Sequence, residues 1–202
     1  MLSAWHRVLL TGVGGQGVLS AGRWIGEAAH AAGQEAVVGQ LHGLSQRGGA
    51  VECSVVVGGA RSAEIPAGGA DVLVAFEPME AARGLSRVSR RTVALVNTRP
   101  WLPGSLQSAG RPYPALATLL DPVREAAGSL VALDATTLAE QAGSSRALNV
   151  VLLGLLAALE LLPLRAGELL EAVVRTGAPA FERVNRSAFH LGHNAASDKR
   201  TA

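Results

Sequence analysis

Apolar residues recur along this chain in two alternating rhythms. Short continuous runs at Arg7–Thr11, Asp71–Phe76, Thr92–Val96 and Leu130–Leu133 read as strands buried on both faces, as in a parallel sheet. Between and after them, 3.6-residue spacing predicts helices over Val18–Ala32, from Glu77-Pro78 onward, over Pro114–Ala127, and then over Arg146–Leu162, Arg165–Arg175 and Pro179–Leu191. Gly33 suits the end of the first helix, and Pro78 the first position of the second. Residues 35–39 form a further strand. In residues 50–57, Val51, Cys53, Val55 and Val57 alternate with Glu52 and Ser54, predicting a half-exposed strand that is a hairpin partner or a sheet edge.

Strands alternating with helices predict an α/β fold, a Rossmann-like doubly wound and mostly parallel sheet with C-terminal helices. One domain is expected over residues 1–193, followed by a small, polar, frayed tail over 194–202. Aromatic residues make up only 3%, so Ala, Val and Leu must fill the core. A formal net charge of +2 without a basic stripe points away from nucleic acid, and the basic run Arg83–Arg91 reads as a solvated helix end. The longest apolar run, Val150–Leu159, is roughly half a membrane span and is expected to be a core helix. One cysteine, Cys53, excludes a disulfide framework and a four-thiolate iron–sulfur cluster held by this chain alone, and a cytoplasmic setting is expected. Cys53 lies on the apolar face of its strand and reads as a buried thiol.

In doubly wound sheets ligands sit at the carboxyl ends of the strands, near the switch in strand order. The first strand delivers Gly12-Val13-Gly14-Gly15-Gln16-Gly17, the second Gln40 and His42, and the buried strands Glu77, Asn97 and Asp134. The glycine loop offers backbone N–H groups at a helix start, which suits an anion, or it is only a tight turn packing strand on helix. The acidic residue expected of a dinucleotide site is replaced by Gln40, which weighs against NAD. His42, Ser45, Gln46 and Arg47, with Gly43, Gly48 and Gly49, form a polar, glycine-flanked loop suited to close approach by a ligand or another chain. Glu77 is a binding residue or a helix cap. Asn149 needs a partner within its apolar helix. His190 and His193 lack companion ligands for a metal.

The Gly12–Gly17 loop, the His42-Gly43-Leu44-Ser45-Gln46-Arg47-Gly48-Gly49 segment, the Ala75-Phe76-Glu77-Pro78-Met79-Glu80-Ala81 segment and Asn149 resemble the gamma-type subunits of 2-oxoacid:ferredoxin oxidoreductases, in their indolepyruvate branch. The likeness spans roughly residues 7–192. It implies a subunit packed on a larger one that carries thiamine diphosphate, Mg²⁺ and iron–sulfur clusters. The complex would oxidatively decarboxylate a 2-oxo acid such as an aryl pyruvate, pass electrons to ferredoxin and release an acyl-CoA. This chain would hold no cofactor alone. Its part would be to shape the substrate or CoA side with the Gly12, Gly14, Gly15, Gln16, Gly17 loop and with His42, Ser45, Gln46, Arg47, Gly48, Gly49, Glu77 and Asn97. The alternative is a stand-alone Rossmann-like nucleotide- or CoA-binding module without catalysis.

Overall fold

The computed structural model describes residues 5–42, 48–101 and 112–196, with residues 41 and 42 entering as strand backbone. Among them, β1 (His6–Val13), β2 (Ala36–His42), β3 (Ala50–Val57), β4 (Val72–Ala75), β5 (Val93–Asn97) and β6 (Ser129–Leu133) form one sheet in the order β2-β3-β1-β4-β5-β6. β1, β4, β5 and β6 run parallel, and β3 runs antiparallel to both of its neighbours. The chain thus winds first to one side of β1 and then to the other. The expected doubly wound, mostly parallel sheet is what forms.

Of the two readings open for residues 50–57, hairpin partner or sheet edge, the first is what forms: β3 pairs with β2, and β2 is the edge strand. Polar–apolar alternation reports a difference between the two faces of a strand and says nothing about its two sides. One expectation needs correction: the basic run Arg83–Arg91 is not wholly solvated. The Arg87 guanidinium reaches across to β3 and bonds both carboxylate oxygens of Glu52 at 2.8 Å.

The continuous apolar runs are explained by cover on both faces. Val8 and Leu10 of β1 enter one core cluster and Leu9 the other, and all three are fully buried. The first cluster joins the sheet to α1 (Val18–Ala31), α4 (Ala135–Ala142), α5 (Leu148–Ala158), α6 (Ala166–Thr176) and α7 (Glu182–Ala195). The second lies under α2 (Pro78–Arg83) and α3 (Leu116–Ala126).

α4 has no counterpart in the sequence reading. It is an octapeptide started by Asp134, whose side chain caps the Thr137 N–H at 2.9 Å, and stopped by Gly143 at φ 113°. α5 is the expected core helix, with Leu148 to Ala157 all buried. It crosses α7 so closely that a Cβ on Gly192 would lie 1.9 Å from the Val151 carbonyl oxygen, and one on Gly154 2.1 Å from that of Phe189. No helix among the described residues is long and apolar enough to cross a membrane.

Candidate functional site

β1 ends in the glycine loop, where Gly12, Gly15 and Gly17 differ in their surroundings. At Gly12 a Cβ would meet Val18 at 2.6 Å and Phe76 at 2.9 Å, so this residue lets strand and helix close together. Gly15, at φ 108°, faces open space, whereas Gly17, at φ 80°, immediately precedes α1. Asn149 packs against Gly17 and donates to its carbonyl at 3.4 Å, which answers the need for a partner on α5. Gln16 turns inward. Its Oε1 accepts from the Val13 N–H at 2.8 Å and its Nε2 donates to the Phe76 carbonyl at 3.1 Å, bracing the loop from beneath.

Outside the loop lies an open cleft of about 410 Å³ lined by Val13, Gly14, Gly15, Gly17, Val18, Leu19, Ser20 and Val51. The first N–H groups of α1 have no intrahelical acceptor by geometry, and no side chain caps them. With the partial positive charge of a helix start, they favour a negative group in the cleft.

The second predicted segment meets the first here. β1 and β3 pair as far as Val13 opposite Ala50, and the two chains then tie beyond the strands. The Gly14 N–H donates to Gly49 at 2.8 Å, and the Gly48 N–H donates to Gly14 at 3.5 Å. The two ends of the 43–49 connection, His42 and Ala50, therefore stand at the same sheet edge as the glycine loop. Ser45, Gln46 and Arg47 lie outside the described residues. Gln40 is not brought to this cleft. It borders another of about 530 Å³ with Gly39, Glu52, Ser54, Glu64 and Arg87, while its register partner Cys53 sets its side chain on the α1 face of the sheet.

At the next strand ends the polar residues are bound into the framework. Asn97 is fully buried; its amide donates to the Phe76 carbonyl at 2.9 Å and to Thr136 at 3.1 Å, and its Oδ1 accepts the Thr136 N–H at 3.3 Å. Glu77 is also fully buried and caps α2, accepting from Met79 at 2.7 Å and Glu80 at 3.2 Å. It further accepts from the Trp101 N–H at 3.3 Å and from the Tyr113 hydroxyl. Burial and then the Glu77 carboxylate push the Tyr113 hydroxyl well above the usual phenol range. Tyr113 was not anticipated, because it sits among prolines; that it is the chain's one tyrosine was the available signal. Asp134 caps α4 and pairs with Arg99 at 3.1 Å. Partial burial opposes its charge, but the Thr137 N–H and hydroxyl and the Arg99 guanidinium outweigh that and hold the carboxyl low. Cys53 is fully buried against Gly22; burial and then Glu52 push its thiol up to about 11.

Glu80 carries a pH dependence. It is 3% exposed, and burial, opposed by Arg83 and reinforced by Glu77, raises its pKa from 4.5 to about 7. Between those values the folded state keeps a proton that the unfolded chain has released, so stability falls as pH rises from 4.5 to 7 and levels off above. Glu80→Gln removes that part of the slope. The difference in unfolding free energy between the variant and the unsubstituted chain should change by on the order of 2 kcal/mol between pH 5 and pH 8 in urea titrations. A constant difference would show that Glu80 titrates normally.

A family model described as pyruvate ferredoxin/flavodoxin oxidoreductase matches residues 7–195. The chain is 36% identical over 189 residues to indolepyruvate oxidoreductase subunit IorB of Archaeoglobus fulgidus, spanning 94% of each protein. It is 37% identical over 195 residues to the subunit of the same name in Thermococcus kodakarensis, spanning 96% of each. The crystal structure of the keto/oxoacid ferredoxin oxidoreductase gamma subunit of Geobacter sulfurreducens has the same fold, with a TM-score of 0.69 at 24% identity over 96% of this chain and 99% of that one.

Proposed function

Because the chain belongs to the pyruvate ferredoxin/flavodoxin oxidoreductase family, we propose that it is the non-cluster subunit of a 2-oxoacid:ferredoxin oxidoreductase, with indolepyruvate and other aryl pyruvates as substrates. The observation carrying the substrate reading is a match of 36–37% identity to the indolepyruvate subunits that runs over 94–96% of both chains. The sole thiol, Cys53, is buried beneath α1 and held protonated, so it does not fit a cluster ligand. Thiamine diphosphate, Mg²⁺ and the clusters accordingly belong to a larger partner subunit, which supplies the decarboxylation chemistry and the path to ferredoxin.

This chain's share is binding and orientation. The start of α1 and the glycine loop take an anionic group, the 2-oxo acid carboxylate or a phosphate of CoA. Gly48 and Gly49 are tied to Gly14 beside that cleft, and the role we assign to Arg47, two residues before Gly49, is that of a neutralising cation. Gln16, Asn97, Asn149 and Glu77 hold the floor and walls in place instead of touching ligand.

Arg47→Ala, co-expressed with the cluster-bearing subunit and assayed anaerobically by dye reduction, should lose at least tenfold in kcat/KM for indolepyruvate while the complex still assembles. Unchanged kcat/KM would remove Arg47 from the site. Failure to recover any partner, with CoA binding to the chain alone, would favour the stand-alone binding module.

A further inference from the structure

Four large apolar side chains are exposed among the described residues: Trp5, Trp101, Leu116 and Phe181. Topology sorts them. Trp5 precedes β1 and so stands at the amino end of the parallel strands, and Phe181 lies in the connection from α6 to α7. Trp101 follows the carboxyl end of β5, and Leu116 opens α3. A helix joining two parallel strands runs back along the sheet, so α3 begins at the rim where β5 ends. Trp101, 51% exposed, and Leu116, 39% exposed, thus share the carboxyl rim with the glycine-loop cleft. Pro112, Ala115, Ala117 and Thr118, around Leu116 in the chain, are exposed and uncharged.

The backbone beneath Trp101 is pinned. Its N–H and the Tyr113 hydroxyl both donate to Glu77 Oε1, and Glu77 is fully buried. Glu77 follows Phe76, whose carbonyl takes the Gln16 amide from the glycine loop. One bonded frame therefore joins the base of the exposed indole to the floor of the cleft. A tryptophan on backbone ordered in advance suits an anchor for another protein, since little freedom is lost when the ring is covered. The cleft itself is open, and none of the described residues lining it is charged. Reacting groups at such a cleft come from a second chain, which must cover the surrounding rim to reach it. We propose that Trp101, with Leu116, anchors this chain to its cluster-bearing larger subunit by entering an apolar, uncharged pocket there. The identity of that partner rests on the functional reading above; the choice of surface rests on the geometry of this chain.

The test titrates the full chain anaerobically with the cluster-bearing subunit. Trp101→Glu puts a carboxylate on the docking surface but keeps the backbone N–H that bonds Glu77, and it should raise the dissociation constant roughly tenfold or more. Trp5→Glu, at the opposite rim, should leave it unchanged. Hydroxyl-radical footprinting of the unsubstituted proteins reads the same surface without a variant that could misfold. Trp101 should be oxidised in the free chain and protected in the complex, while Trp5 is oxidised alike in both. An unprotected Trp101, or equal affinity of Trp101→Glu and the unsubstituted chain, overturns the proposal and leaves the functional reading standing. Absence of any complex with the unsubstituted chain overturns that reading and the proposal with it.

Discussion

Gly192→Ala is expected to melt roughly 6–12 °C below the unsubstituted protein, equivalent to about 3 kcal/mol at the usual entropy of unfolding for this size. The added methyl would sit 1.9 Å from the Val151 carbonyl oxygen, a backbone atom with no rotamer to escape into. α5 has no room to retreat, because Leu148 to Ala157 are all buried against the sheet and the surrounding helices. The strain must then be relieved by parting α5 from α7, which opens the packing around Phe189 and Leu152. Gly167→Ala is the matched control. It lies in α6 with nothing within 4 Å of the added carbon, and replacing a helical glycine there should stabilise by about 0.4–1 kcal/mol. Thermal denaturation followed by circular dichroism separates the two. Equal midpoints would mean that the helices do not cross at backbone contact.

Glu77→Ala is the second substitution with a large expected cost, about 3 kcal/mol, and its effect extends beyond the α2 cap. Loss of the cap alone costs about 1 kcal/mol. The larger share comes from stripping the acceptor from the Trp101 N–H and the Tyr113 hydroxyl, which bond the carboxylate's other oxygen, Oε1. Glu77→Gln should be milder. Its amide retains one acceptor, and the Tyr113 hydroxyl can reverse to accept from the new NH₂, while a backbone N–H has no such freedom. The ordering Ala, then Gln, then the unsubstituted chain should appear in urea midpoints. An Ala variant as stable as Gln would mean that the contacts to Trp101 and Tyr113 contribute nothing.

Much of this architecture is legible from the pattern of apolar residues. The dry strands β4 and β5 announce themselves, because cover on both faces removes polar residues from Val72 to Ala75 and from Ala94 to Val96. The buried character of α5 and of Cys53 follows from the same logic. α4 escaped because its length is near the minimum for a helix and its composition, Ala-Thr-Thr-Leu-Ala-Glu-Gln-Ala, has only one large apolar side chain to set a period. The Asp134 and Gly143 boundaries were readable, but a cap without periodicity is a weak signal.

At the strand ends the residue types were found more readily than their duties. Gln16 and Asn97 look like ligand-facing groups because they are polar beside glycines, yet both point into the protein and bond the main chain. Gln40 shows a different limit. Its register partner is Cys53, so alternation keeps it on the α1 side of the sheet, yet it does not line the glycine-loop cleft, because β2 is separated from β1 by β3. No local pattern reports which backbone carbonyl a distant amide will reach.

One such carbonyl has a consequence for how this site can change over evolutionary time. The Phe76 oxygen receives the Gln16 amide from the end of β1 and the Asn97 amide from the end of β5, so three strand termini converge on a single main-chain atom. No substitution at position 76 short of moving the backbone can delete that atom. The junction is thus protected at its hub and vulnerable only at its spokes. Variation in the phenylalanine ring can tune the core beneath the glycine loop while the loop, β4 and β5 stay in register, which lets packing and binding geometry drift independently.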